Sequence, residues 1–326
     1  MEKQKDNKLM KARSYRSVLA TGFRLYTENF KRFFKASWQM ALLYALSCGA
    51  LGTMLAIKIP ELTLVLMQQV ALYQGVFIQP LLQYATHLIV LLALMALMIA
   101  TLALASATIL AKLKEHKETG TISTPTHWLT ASPRLMGRTL KGVFCTVLLA
   151  LLPFLLAMAM AVVVAHWRPE MLHARMWTVM VTGVIVSAVI AAFMLPLMHV
   201  LMKYIMEAPC KYWPTLGKSY GRALAHWGML FLVFFVSLLL TELVAVVVMM
   251  PAHVLNMANQ VAHSGLLLGD PLGMPSYMTP LTFATFTFCC FIQFYVSQVV
   301  LVHNYYAYGA IEAKEQERQQ QKMDIQ

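Results

Sequence analysis

The feature that most limits this chain is where its charges are missing. No Asp, Glu, Lys or Arg falls between Lys35 and Lys58, Glu61 and Lys112, Lys141 and Arg168, or Arg175 and Lys203. A fifth apolar run starts at Gly228 and contains one charge, Glu242; a sixth follows Pro280 and reaches Tyr308. Crossing about 30 Å of hydrocarbon takes roughly 20 apolar residues. These runs predict six spans, at 36–57, 86–111, 142–165, 178–202, 228–250 and 281–308. The chain is 59% hydrophobic and 12% charged, against about 45–50% and about 25% in soluble domains, so lipid must serve as solvent for much of its surface. Backbone groups facing lipid need internal partners, which leaves helices or closed barrels. The runs are continuous rather than alternating, so the expected fold is an all-α polytopic bundle. It forms one integral membrane domain over 1–326, with a basic tail at 1–13, an interfacial helix at 14–35 and a cytoplasmic tail at 309–326.

Charge also sets the expected orientation. Ten Lys and Arg precede the first span, with no apolar core of a secretory signal ahead of Ser37, so that span is read as a retained anchor. All but Lys58, Arg168 and Arg175 of the 26 basic residues fall on one side of a six-span layout. Basic residues near span ends stay in the cytoplasm, which places both termini inside. The net charge of +12 follows from that layout and calls for anionic lipid headgroups as partners, not nucleic acid. None of the five cysteines falls in a loop expected outside, so no disulfide framework is indicated.

Three stretches on the basic side share a pattern. In "SYRSVLATGFRLYTENFKRFF", Tyr15, Val18, Leu19, Gly22, Tyr26, Phe30 and Phe33 oppose a cationic face. "SPRLMGRTLKGVF" offers Ser132 as cap and Pro133 as opener. "PTLGKSYGRALAHW" opposes Leu216, Tyr220, Leu224 and Trp227 to Lys218, Ser219, Arg222 and His226. Each leads into an outward span, as cationic amphipathic helices at an interface do. The layout reads as three parallel repeats of interfacial helix plus transmembrane hairpin. Arg24, Lys31, Arg32, Lys218 and Arg222 are the candidate lipid-headgroup contacts. The elements "GFRLYTENFKRFFKASW" and "LGKSYGRALAHWGMLFLVFF" resemble those of uncharacterised six-helix bacterial inner-membrane proteins. That family is similar in turn to the membrane domain attached to some glycerophosphodiester phosphodiesterases. The resemblance implies a bacterial cytoplasmic membrane location; the spans leave no room for the soluble enzyme domain, so its activity is not carried over.

Between spans, the segment after Lys58 reads as an interfacial or re-entrant piece rich in Gln, and the segment after Pro251 as a Gly- and Pro-rich loop. Gly183, Ser187 and Ala191, and Ala103, Ala107 and Ala111, form stripes suited to close helix contact. Pro153 and Pro196 are expected to kink their spans.

Reaction chemistry is scarce. No two of the ten histidines are three or four residues apart, no nucleophile elbow, phosphate loop or dinucleotide turn occurs, and no metal or cofactor is expected. The histidines read as interfacial and water-facing. Glu242 stands out as an intramembrane carboxylate, about 21 Å from the inner edge at about 1.5 Å per residue. That depth offers Ser187, Ser47, Cys48, Thr287 and Cys289 as hydrogen-bond neighbours, and sets Gln293 deeper. The leading expectation is a non-enzymatic inner-membrane protein that organises envelope components or lipids, together with a membrane protein partner. The alternative is a proton- or ion-coupled transporter using Glu242; a lipid enzyme lacks an acid–base pair.

Overall fold

Each charge-free run folds as helix, and the helices overrun the boundaries that charge alone suggests. A computed structural model describes residues 9–73, 85–125, 131–166, 172–207, 209–267 and 275–324. Its helices are α1 (Tyr15–Glu28), α2 (Phe30–Tyr73), α3 (Ala85–Thr119), α4 (Pro133–His166), α5 (Leu172–Met206), α6 (Tyr212–Ala225), α7 (Trp227–Leu267) and α8 (Met278–Asp324). There is no strand among the described residues. Five helical stretches are long and apolar enough to cross a membrane: Phe30–Ile57, Ala85–Thr119, Gly183–Met206, Trp227–Gly265 and Met278–Asp324. The protein is therefore an all-helical, multi-pass membrane protein. The remaining expected span, 142–165, lies on α4, where many side chains fall outside the described residues.

Several expected boundaries are corrected. The interfacial helix assigned to 14–35 ends at Glu28, capped by Asn29, and residues 30–35 are the first turns of α2. The apolar span ends at Ile57 as expected, but its helix does not: α2 continues through Pro60 to Tyr73, because "LTLVLMQQVALY" is built mostly of residues that favour helix. Residues 74–84, which hold Pro80 and three of the glutamines, lie outside the described residues. Likewise α7 passes Pro251 and reaches Leu267, absorbing part of the expected loop. The stretch expected as a tail at 309–326 continues α8 as far as Asp324, and Gly309 through Ala313 are buried. The whole stretch 302–313 is buried, His303, Asn304 and Glu312 included, so this part of α8 has no solvent-facing side.

α8 is the hub. It packs along α2 and α7 and also touches α1 and α5. Tyr305, Tyr306 and Tyr308 are fully enclosed, in a core that draws Val18, Leu25, Tyr26 and Phe33 from α1 and α2 and Ile109 and Leu113 from α3. Tyr26 donates from its hydroxyl to the Tyr295 carbonyl at 2.7 Å, tying α1 to α8. The approach of α2 to α8 is close at Gly49, where an added Cβ would collide with Thr287 Oγ1. Helices associate in lipid through such contacts. Of the stripe expected on α5, Gly183 faces open space, and the side chain of Ala191 lies outside the described residues. Ala103 and Ala107 on α3 are buried as expected.

α1 and α6 are each 14 residues long, and each is followed by a one-residue break, at Asn29 and His226, before a long apolar helix. The second amphipathic stretch differs. It is the unbroken start of α4, where the Leu135 amide donates to Ser132 Oγ at 3.3 Å. α4 and α5 run through Pro153 and Pro196 as continuous helices. Pro196 has no N–H to offer the Ala192 carbonyl one turn back. Trp227 Nε1 fills that vacancy at 2.9 Å, and the Tyr220 hydroxyl donates to the adjacent Phe193 carbonyl at 2.9 Å. The α6–α7 junction is thereby pinned to α5.

Candidate intramembrane site

The contact of α7 with α8 sets the level of the intramembrane carboxylate. Ser237 and His303 Nδ1 hydrogen-bond at 2.7 Å, fixing the register of this antiparallel pair. Five residues outward on each helix lie Glu242 and Gln298. Both line a cavity of about 510 Å³ bounded by α3, α4, α5, α7 and α8. Most of the lining is apolar, including Leu102, Leu110, Met202, Phe234 and Leu301. The polar groups are Ser106, Thr139, Thr146, Thr241, Glu242, Gln293, Ser297, Gln298 and Asn304. No Lys, Arg or His is among the described lining residues. The volume falls in the range of small-molecule sites, about 300–1,000 Å³.

Three amide oxygens in this lining, on Gln293, Gln298 and Asn304, are buried without a hydrogen-bond partner. Gln298 and Asn304 are 3% and 5% exposed. A buried polar atom left unpaired costs about 1–3 kcal/mol, so three around one cavity mark it as unlike an ordinary packing defect. Glu242 lies at the cavity's edge, where it is exposed between Leu239, Leu240 and Leu243 on the lipid-facing side of α7.

The neighbours expected for Glu242 are corrected. Ser187, Ser47, Cys48, Thr287 and Cys289 do not line this cavity, and Ser47 instead pairs with Thr101 at 2.8 Å. Gln293, which depth counting set aside, does line it. That count took Gly228 as the membrane edge, whereas Met229 already packs against Lys314 in the core of the basic end. Gln293, Ser297 and Asn304 recur along one face of α8, and that stripe was the readable signal for the site.

Below the cavity, toward the basic end, a second polar cluster joins α4, α5 and α8. Lys203 Nζ donates to Glu312 Oε1 at 2.8 Å, and His199 Nε2 lies 3.3 Å from the same oxygen without hydrogen-bond geometry. Burial alone would raise the Glu312 carboxyl, but the neighbouring imidazole and ammonium outweigh it and bring it to about 2. The Tyr308 hydroxyl donates to Glu207 at 2.6 Å. Arg138 spans the Tyr204 and Glu207 carbonyls at the end of α5, at 2.8 Å and 2.7 Å. The reading of the histidines as water-facing is corrected here: His116, His199 and His303 are buried. His116 pairs with the Tyr305 hydroxyl at 3.0 Å, and burial followed by the Arg13 charge lowers its pKa.

The candidate headgroup residues do not join the cavity. Arg24, Lys31, Arg32 and Lys218 are exposed and Arg222 is half-buried. Among the described residues, no group of three or more His, Cys, Asp or Glu could hold a metal ion. The fold and the cavity define a multi-pass helical membrane protein with a polar pocket among its apolar helices. Comparison with protein-family models, curated proteins and solved structures finds no match.

Proposed function

We propose that this protein is a non-enzymatic carrier that takes an apolar-bodied solute into the cavity between α3, α4, α5, α7 and α8. The observation that carries the reading is the set of unpaired amide oxygens on Gln293, Gln298 and Asn304, in an apolar-lined space beside Glu242. Intramembrane ionisable and amide groups facing a cavity are the usual markers of a substrate path. This favours the transporter alternative over the envelope-organising one. The organising reading keeps one supporting observation, the exposed Phe23 and Trp213 near the exposed cations Arg24 and Lys218. Such a rim suits anionic headgroups.

The proposal includes six spans in a bacterial cytoplasmic membrane, with both termini inside and three repeated units, as in the six-helix family the sequence resembles. Parity supports the sixth span. A Cβ on Gly309 would lie 2.5 Å from the Leu9 carbonyl oxygen, so the two ends of the chain meet. Chain ends on one side require an even number of crossings, and α4 is 34 residues long. The repeat is supported by α1 and α6, which bury Val18, Gly22 and Tyr26, and Thr215, Ser219 and Ala223, at the same spacing.

The test uses protein in nanodiscs and energy transfer from its tryptophans to pyrenebutanol, a neutral probe sized for the cavity. Saturable transfer that disappears in Ala103→Phe, which fills the cavity, is the expected result. Transfer that stays equal in wild type and in a folded Ala103→Phe variant would remove the carrier reading.

A further inference from the structure

The cavity's hydrogen bonds are one-sided. Thr139, Thr146, Thr241 and Ser297 all donate their hydroxyl protons to backbone carbonyls of their own helices, at Leu135, Gly142, Leu238 and Phe294. A hydroxyl has a single proton, so what remains at each oxygen is lone pairs. Because the Ser297 proton goes to Phe294, Ser297 Oγ can only accept, and it does so from Gln298 Nε2 at 3.5 Å. That fixes which end of the Gln298 amide is oxygen, and the oxygen is unpaired. The Asn304 amide is fixed the same way: Nδ2 donates to the Met198 carbonyl at 3.1 Å, leaving Oδ1 unpaired. Gln293 contributes a third unpaired oxygen, and Glu242 a carboxyl. Against these acceptors the described lining offers as donors the Ser106 hydroxyl, the Gln293 amide nitrogen and the second N–H of Gln298 and of Asn304, with no cation among the described residues.

We infer that the cavity is selective for a protonated primary amine on an apolar body, its ammonium held by Glu242 and the amide oxygen of Gln298 at the same level. The inference rests on the carrier reading above and deepens it. An ammonium is three donors and no acceptor, the complement of this lining. It also supplies the countercharge that a carboxylate beside hydrocarbon otherwise lacks, since an unpaired charge in such surroundings is strongly disfavoured. Carboxylate and phosphate ligands are disfavoured on the same ground, because they would bring acceptors to acceptors. The apolar residues Leu102, Met202, Phe234 and Leu301 would take the body of the molecule.

The experiment compares three probes of matched size in the nanodisc assay: pyrenebutylamine, pyrenebutanol and pyrenebutyrate. Charge-assisted hydrogen bonds exceed neutral ones by an amount that predicts about tenfold or more in affinity. The amine is expected to bind at least about tenfold more tightly than the alcohol, with the carboxylate weakest. Glu242→Gln is expected to bring amine and alcohol within about twofold of each other. Equal binding of all three probes, or an amine preference unchanged in Glu242→Gln, would overturn the selectivity and leave the carrier reading standing. No saturable binding by any probe would remove both. Discs of phosphatidylcholine alone, set against discs containing phosphatidylethanolamine, identify the source of the amine. A quaternary headgroup donates no hydrogen bond, so competition by the ethanolamine lipid alone assigns a lipid ammonium, and equal affinity in both discs assigns a free lipophilic amine.

Discussion

Lys203 and Glu312 show how a polar pair can hold an otherwise apolar bundle together. Their side chains are 13% and 10% exposed, so removing one leaves the other charged and poorly hydrated. Lys203→Met is expected to cost about 3–5 kcal/mol, and Lys203→Met with Glu312→Met to recover most of that loss. Equal losses in the single and double variants, read from denaturant unfolding in detergent, would show that the two do not act as a pair. The pH dependence follows from the depressed carboxyl. Glu312 ionises at about 2 when folded, against an ordinary 4.5, which corresponds to about 3 kcal/mol of stability at neutral pH. A carboxyl lowered in the folded state contributes fully above its unfolded value, and that contribution is lost as pH falls through the folded one. Melting temperature should therefore drop between pH 4.5 and 2, and the drop should be smaller in Glu312→Gln. Glu242 was legible in the sequence, because one charge in a long apolar run needs no partner to be noticed. Glu312 was not. It looks like an ordinary tail residue until α5 brings Lys203 and His199 to it from more than a hundred residues away.

The helices follow from the apolar runs, but their contacts depend on single positions that carry no period. Gly49 and Thr287 set how closely α2 approaches α8. Gly49→Val should push the two apart at a cost of about 1–3 kcal/mol, as overpacking does elsewhere. Val18→Ala, which deletes volume on the α1 face toward α8, should lower stability without changing that spacing. Gly183 had the same promise in sequence and meets nothing within 4 Å, because a small residue says where a neighbour would fit and not that one is there. For α1 the sequence pointed to a helix lying on lipid, and the core of the bundle adds a helix packed on protein. In the structure it has a face for each: Val18, Leu25 and Tyr26 are buried, while Phe23 is 54% exposed beside Arg24. A spin label at Phe23→Cys should report lipid contact and free motion, and one at Val18→Cys should be immobile. Matching mobility at the two sites would remove the two-faced assignment. The break after α1 and its counterpart after α6 were missed in the sequence because Asn29 and His226 are not helix-breaking residues by type.

Crossing number is a property of the whole chain, and it can be decided by which side three positions face. The six-span arrangement proposed above puts Thr121 on one side of the membrane and Tyr277 on the other; both are exposed. Arg168, between α4 and α5, is the deciding position. If that hairpin crosses twice, a cysteine there shares a side with Tyr277; if it lies along one surface, it shares a side with Thr121. The charge-free run from Lys141 to Arg168 favours crossing, because apolar side chains laid on the headgroups would leave much of their area in water. The meeting of residues 9 and 309 favours it independently, since five crossings would place the chain ends on opposite sides. The native cysteines must first be replaced, above all the exposed Cys210. An impermeant maleimide added to intact cells is then expected to label Arg168→Cys and Tyr277→Cys, and to reach Thr121→Cys only after the membrane is opened. Labelling of Thr121→Cys alone in intact cells would invert the orientation and leave the bundle standing. Labelling of Arg168→Cys together with Thr121→Cys would take α4 and α5 out of the membrane. The cavity would then lose two of its five walls, and the intramembrane carrier would be untenable with it.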